Sequence, residues 1–308
     1  MSTAHPFTEV PVMSNMTVKE GRRRRDGIPA MLMLAPAFIG ILLFQYLPLV
    51  DVLGTSLRHV NPFTRAAEGG LTLANYTGLL ADPEFRRALL NTVVYIVITI
   101  GLEIPLALVL AIMVNRRLPS SRALRAAVIA AMAASETVGA LVWSQMYESS
   151  FGLFNSVLSA LHLSQQPFLT SEHQALAAIT VMSVWRGVGL PMLVFLGGLQ
   201  LIPQEVYEAA RLDGVGPVRT LLQITVPLLK PSLVVAAFMS TLSGARIFTP
   251  INVMTDGGPN GSTTNLIYYS YQQAFSFQSF GTAAAAAVVM LLLLVALSVM
   301  QARILRSE

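Results

Sequence analysis

The chain has 308 residues, 54% of them hydrophobic and only 12% charged, with a formal net charge of +4 and a mean hydropathy of +0.62. That balance is too apolar for a water-soluble domain of this length and predicts an all-α integral membrane protein. The absence of cysteine excludes disulfides and thiolate metal sites. The basic residues mark loops instead of forming one soluble face, which is a topology signal and argues against a nucleic-acid partner.

Residues 1–27 are polar and include the tetrad Arg22–Arg25; they are expected to be a disordered, basic, cytoplasmic tail. The apolar run that follows, Ile28 to Leu49, reaches the roughly 20 residues a membrane helix needs. No small-residue cleavage site closes it, so it reads as a first span with a basic anchor and not as a signal peptide. Six spans are expected in all, at about 28–52, 89–114, 123–146, 175–199, 229–253 and 280–301. Fourteen Lys and Arg fall in the tail, in the loops after spans two and four, and at the C-terminus, against four in a single opposite loop. Both termini are therefore expected to be cytoplasmic, with a membrane domain over 28–303 and a short tail over 304–308.

Three outer loops differ in character. Residues 53–88 carry turn signals at Asn61-Pro62 and Gly69-Gly70, and Asp82-Pro83-Glu84-Phe85 predicts a capped helix start leading into span two. In 147–174, Phe151, Phe154, Val157, Leu158 and Leu161 predict one apolar stripe on a short helix. The third loop holds Thr255-Asp256-Gly257-Gly258-Pro259-Asn260-Gly261 and then Tyr268, Tyr269, Tyr271, Phe275, Phe277 and Phe280, a density of aromatics that suits the lipid headgroup belt.

Ionisable residues inside a bilayer are costly, so they face a cavity or a partner. Here they are Glu103, Glu136, Arg186 and Arg246. On one reading Glu136, Arg186 and Arg246 line a solute pathway with Gln145, Trp185, Phe248 and Asn252; the aromatics would take sugar CH faces, and the arginines hydroxyls or a phosphate. On the other, Glu136 and Arg186 pair as a structural bridge, Glu103 serves a turn broken by Pro105, and Trp143 and Trp185 only pack. The outer-loop histidines His59, His162 and His173 lack ligand spacing, and no metal site is assigned.

Between spans four and five lies a polar insert, Glu205-Val-Tyr-Glu-Ala-Ala-Arg-Leu-Asp-Gly214. Pro203 suits a first helical turn, and Glu205 and Glu208 lie where the helix dipole favours negative charge. Ala209 and Ala210 offer a bare packing surface, and Gly214 lets the chain leave the helix. Pro217 starts a second helix that Pro227 would end.

This insert resembles the EAA loop of binding-protein-dependent ABC importer permeases. Glu208, Ala209, Ala210, Gly214, Ile224 and Pro227 fill that family's pattern, with Val226 where leucine is usual. Trp143, Gly152-Leu153-Phe154-Asn155, Trp185, Gly197-Gly198-Leu199-Gln200 and Met254 to Pro259 also resemble sugar permeases of the maltose-importer class. One departure is Ala133-Ala134-Ser135-Glu136, where such permeases often carry prolines, so a family-like kink is in doubt there.

The resemblance implies a type I ABC importer permease fold, with a coupling loop over about 200–230 whose first helix docks on an ATP-hydrolysing subunit. Glu208 would be the polar anchor, Ala209 and Ala210 the close-packed face, and Gly214 the bend, with Asp213 also among the ATPase-coupling residues. The implied partners are a second homologous permease, two ATP-binding subunits and an extracytoplasmic substrate-binding protein, in the plasma membrane of a prokaryote. The implied cargo is a di- or oligosaccharide or a glycerol-phosphate derivative. No cofactor is expected on this chain; ATP and Mg would sit on the ATPase, since no GxxxxGK[ST] sequence occurs here. An ion-coupled secondary carrier using Glu103 and Glu136 is the rival reading. A membrane enzyme would need a nucleophile–base constellation that the sequence does not offer.

Overall fold

The computed structural model describes residues 27–64, 66–116 and 119–306. The basic tetrad, Arg65, Arg117 and residues 307–308 lie outside the described residues. The chain divides into two compact units, Met1–Asp51 and Val52–Glu308.

The first unit is helical. α1 (Gly27–Ile41) passes through a π-helical turn at Leu42–Tyr46 into α2 (Leu47–Ser56). The widened turn has a local cause: Pro48 has no N–H to offer the carbonyl four residues back, and the Leu47 N–H bonds to the Leu42 carbonyl instead. Met31–Ser56 is apolar and long enough to cross a membrane, and none of Met31 to Val50 is buried.

In the second unit a two-residue hairpin, β1 (His59–Val60) with β2 (Ala67–Glu68), pairs His59 with Glu68. Its turn is held by the Asn61 side-chain oxygen, which accepts from the Phe63 and Thr64 N–H groups at 2.9 and 3.1 Å. After α3 (Ala74–Ala81), α4 (Pro83–Val114) runs unbroken through Pro105. Its start is the expected one, since Asp82 Oδ1 accepts from the Glu84 N–H at 2.8 Å and Pro83 sits in the first turn.

The next three spans are bent. α5 (Pro119–Ala133) meets α6 (Glu136–Met146) at 103°, and α8 (Ala175–Gly187) meets α9 (Gly189–Leu201) at 43°. α7 (Leu153–Ala160) lies between these pairs. The insert follows as α10 (Gln204–Leu212), α11 (Pro217–Thr220), a π turn at Leu221–Thr225 and α12 (Val226–Leu228). Pro227 does not end this second helix: the Val226 N–H reaches the Leu221 carbonyl, the helix runs on to Leu228, and the chain then swings 74° into α13 (Lys230–Ala245). The fifth span therefore stops at Ala245, earlier than expected, and resumes as α14 (Thr249–Met254) after a break at Arg246. α15 (Leu266–Tyr271) precedes α16 (Phe280–Arg306). Counting each bent pair as one span gives six.

Three buried clusters hold these helices together. Ala107 and Ala111 of α4, Phe195 and Leu199 of α9 and Ala236 of α13 form one. Tyr95, Ala140, Ile179, Met182 and Ile251 join α4, α6, α8 and α14 in a second. Phe85, Ile96, Leu266, Ala285 and Ala286 tie α4 and α15 to α16 in the third. Lipid is as apolar as leucine, so what holds membrane helices together is close van der Waals fit between small residues. The buried alanines at 107, 111, 236, 285 and 286 supply that fit.

Candidate functional site: the cytoplasmic insert and the broken spans

α10 ends in a Schellman motif. The Val215 N–H bonds to the Ala210 carbonyl at 2.9 Å and the Gly214 N–H to the Arg211 carbonyl at 3.1 Å, with Gly214 at φ +71°. Pro203 precedes the first turn as its cap instead of lying within it. One face of α10 turns inward: Ala210 is buried, and the Tyr207 hydroxyl lies 3.4 Å from that of Thr225 on the second helix of the insert. The opposite stripe, Glu205, Glu208, Ala209 and Leu212, is exposed, and Leu212 is 89% exposed.

This corrects the expected pairing of Ala209 with Ala210 on one partner-facing surface. Ala210, 100° further round the helix than Ala209, packs within the chain, and Ala209 faces out with Glu208. Glu208 accepts a hydrogen bond from Gln204 Nε2 at 2.8 Å, which fixes its carboxylate on the outer stripe, and Asp213 and Gly214 are exposed at its end.

The intramembrane charges resolve differently. Arg186 Nη1 lies 3.5 Å from Glu136 Oε1, and its Nε donates to the Ala134 carbonyl at 3.4 Å. That carbonyl belongs to the end of α5, where the helix no longer supplies a donor. A sharp kink is therefore present without proline: Ser135 is extended, at φ −58° and ψ 133°, and one guanidinium bridges the two sides of the break. Glu103 does not serve a broken turn at Pro105. It is buried against Gly187, where an added Cβ would come within 2.6 Å of its Oε1.

Trp185 packs on Trp143 with ring centroids 5.5 Å apart and tilted by 49°, and Trp143 continues into Tyr147 and Phe154. Both indoles line an apolar cleft of about 640 Å³ with Leu102, Leu106 and Val181, a setting for packing and not for sugar hydroxyls. Phe248 packs on Tyr268 and Tyr271. Arg246 caps α13 and donates back to the Leu242 carbonyl at 3.3 Å. Gln145 and Asn252 are exposed on α6 and α14, which pack together. Of the seven residues expected to share a pathway, only Glu136 and Arg186 touch through an ion pair.

Sequence reasoning missed a polar network on the outer side. Asn91 Nδ2 donates to the carbonyls of Gly261 and Thr264 at 3.2 and 2.9 Å, Arg87 to that of Asn260, and the Asn260 amide to Glu172. Buried Asn265 donates to the Ile247 carbonyl at 2.6 Å and caps α15 through the Tyr268 N–H at 2.8 Å. Tyr268 and Tyr269 are buried, with hydroxyls on Asp256 and Asp82, so they do not belong to a headgroup belt; Phe275 and Phe277 remain exposed. Burial, reinforced by the neighbouring carboxylates, raises both phenols above their ordinary range. The expected stripe on α7 also splits: Phe154 packs on Tyr147 at 4.8 Å while Phe151, Val157 and Leu161 point out. The only sequence signal for the network was asparagine and aspartate beside helix starts.

Residues 74–307 match the model of the family described as the binding-protein-dependent transport system inner membrane component. The chain belongs to this family. As a family member it is a transport subunit and not an enzyme, and it belongs to a multi-pass component of the inner membrane. It is 35% identical over 268 residues to the trehalose/maltose transport system permease protein MalF of Thermococcus litoralis, covering 87% of this chain and 88% of that one. Identity to the sulfoquinovosyl glycerol permease SmoG of Agrobacterium fabrum is 32%, covering 92% of each. To the sn-glycerol-3-phosphate permease UgpA of Yersinia pestis it is 30%, covering 90% and 94%. A bacterial ABC transporter that imports the acidic polysaccharide alginate superposes with a TM-score of 0.78 at 21% identity, over 91% of this chain and 95% of that one. A second structure, of the alginate transporter bound to its periplasmic protein, gives the same score; both likenesses concern the fold.

Proposed function

We propose that this permease is one of a pair of membrane subunits in the plasma membrane of a prokaryote, importing a di- or oligosaccharide or a glycerol-phosphate derivative. A second homologous permease, two ATP-binding subunits and an extracytoplasmic binding protein complete the assembly. ATP and Mg are bound by the ATPase partners, and this chain binds no cofactor of its own. The observation that carries the reading is the outward stripe of α10, in which two carboxylates, a methyl group and a leucine lie on one face of a helix closed at its C-terminal end by a Schellman motif. Such a helix transmits a push from a soluble partner as a rigid body, because Ala210 and Tyr207 already seat its other face on the chain.

The orientation follows from the Lys and Arg asymmetry, which puts the insert in the cytoplasm. The substrate class is supported by the substrates for which the relatives are named: trehalose and maltose, sulfoquinovosyl glycerol, and sn-glycerol-3-phosphate. The pathway assigned to Gln145, Trp185, Phe248, Arg246 and Asn252 is kept only as candidate lining, with Glu136 and Arg186 as the pair that sets its shape. An ion-coupled carrier has less support, because Glu136 is held by Arg186.

The test is purification through a tag on this chain under mild detergent. A stoichiometric ATP-binding subunit, a second permease and ATP hydrolysis stimulated by loaded binding protein are expected. Glu208→Lys or Gly214→Asp should then abolish uptake while leaving membrane insertion intact. Isolation of the chain alone, transporting on an ion gradient without ATP, would overturn the reading.

A further inference from the structure

Behind the outward stripe, α10 closes a cleft of about 590 Å³ against the membrane-side ends of α4 and α9 and the second helix of the insert. Its apolar wall is Ile112, Leu199 and Leu221, and its polar mouth carries Arg116, Arg211 and the Tyr207 hydroxyl. Ile112 and Leu199 belong to the last turns of spans two and four, the depth at which the hydrocarbon core gives way to headgroups. Arg116 and Arg211 are exposed, and neither guanidinium lies in an ion pair: the one such bridge among the described residues is Arg186 to Glu136. The acids of α10 do not neutralise the mouth, because Glu205 and Glu208 sit on the outer stripe, opposite Tyr207.

We propose that this cleft binds the phosphate of an anionic phospholipid of the adjacent leaflet, with Arg116 and Arg211 as its two anchors. Guanidinium forks match phosphate oxygens, and basic pockets between spans at the cytoplasmic surface take anionic headgroups in this way. The apolar wall selects lipid over a free phosphate: a soluble anion would satisfy the arginines and leave Ile112, Leu199 and Leu221 bare, whereas a lipid places its first methylenes there. The volume lies within the range of small-molecule sites. A lipid seated here would brace the coupling helix against spans two and four, making ATP coupling sensitive to headgroup charge. That consequence rests on the function proposed above; the binding itself does not.

The assembled complex, stripped into a neutral detergent and titrated with phosphatidylglycerol, should retain one such lipid per copy of this chain by native mass spectrometry. Replacing either arginine by glutamine should weaken retention about fivefold, and replacing both about thirtyfold, from the worth of one basic residue at an anionic surface. An Arg116→Lys, Arg211→Lys variant should keep most of it, which separates lost charge from lost folding. Glu208→Lys should lose ATP coupling yet bind lipid normally, so failure of the coupling reading leaves the lipid result intact. Equal retention by wild type and the double glutamine variant overturns the proposal. So does displacement of the lipid by inorganic phosphate at matched concentration, which would make this a soluble-anion site. Binding to the isolated chain but never to the complex also overturns it, because the ATPase would then fill the cleft.

Discussion

At position 187 a side chain would have to displace a buried carboxyl group. Gly187 faces the carboxyl of Glu103, and a methyl group there would come within 2.6 Å of Oε1 and 3.4 Å of the carboxyl carbon. Gly187 also closes α8 just before the 43° bend in span four, so the contact pins span two to that bend. Gly187→Ala should therefore destabilise the chain by about 1 kcal/mol, the low end for overpacking because the obstacle is the end of a flexible side chain, read as a lower thermal midpoint in detergent. The Gly187→Ala, Glu103→Ala double variant should recover part of that loss; a double variant no better than the single would show the carboxyl is not the obstacle. Gly214 makes the opposite case. It has nothing within 4 Å and needs only its φ of +71°, so Gly214→Ala should cost roughly 1–2 kcal/mol of local strain with no partner able to relieve it. Two glycines of one chain are thus fixed by different physics, and only Gly214, within a recognisable helix–turn–helix pattern, shows its reason in the sequence.

The third span makes the same point for an element. Hydropathy finds 123–146 as one run, but Ser135 breaks it and Arg186 spans the break, holding the Ala134 carbonyl and the Glu136 carboxylate. Removing this guanidinium frees both groups at once. With side-chain exposures of 32% and 39%, the pair is worth less than a fully buried one, and Arg186→Met should cost about 1–2 kcal/mol. The charge-swapped Arg186→Glu, Glu136→Arg variant would remake the ion pair but leave the Ala134 carbonyl without its donor. It should therefore recover stability only in part, and full recovery would show that the carbonyl contact adds nothing. On the outer side, Tyr268 and Tyr269 stay protonated in the folded chain beyond the ordinary 10.0 of a free phenol. The unfolded chain then releases those protons first, so stability should fall as pH rises above about 10. Phenolate absorbance should show these tyrosines titrating only as the chain unfolds. Spans, capped starts and the insert's hinge were legible because each is written in local pattern: an apolar run, Asp82 before Pro83, Gly214 after a helix. The break at Ser135, the stop at Ala245 and the buried tyrosines were not, because long-range partners decide them: Arg186 lies 52 residues from Ala134 and Asp82 lies 187 from Tyr269.

For the whole molecule the question is which surfaces are finished within the chain and which wait for a partner. The two faces of α10 answer it with neighbouring residues. Ala210 is 4% exposed, and Leu212, two positions on, is 89% exposed. A leucine so bare at the end of a capped helix contributes nothing to this chain's own stability, since burying it would gain about 1.5–3 kcal/mol that the isolated chain forgoes. Leu212→Asp should then leave the thermal midpoint of the isolated chain unchanged within about 0.5 kcal/mol, as surface substitutions do. The same change should weaken retention of the ATP-binding subunit at least tenfold, because an apolar anchor and a new like charge beside Glu208 act together. Ala210→Leu should do the reverse at first, lowering the chain's own midpoint by overpacking the seat of α10 and weakening the partner only through that displacement. Melting curves of the chain alone, set beside pull-down of the ATPase, separate the two faces. A Leu212→Asp chain that melts early yet holds its partner would move the docking surface off this stripe. Normal melting with lost partner and lost uptake would place the transmission of ATP-driven motion on Glu205, Glu208, Ala209 and Leu212.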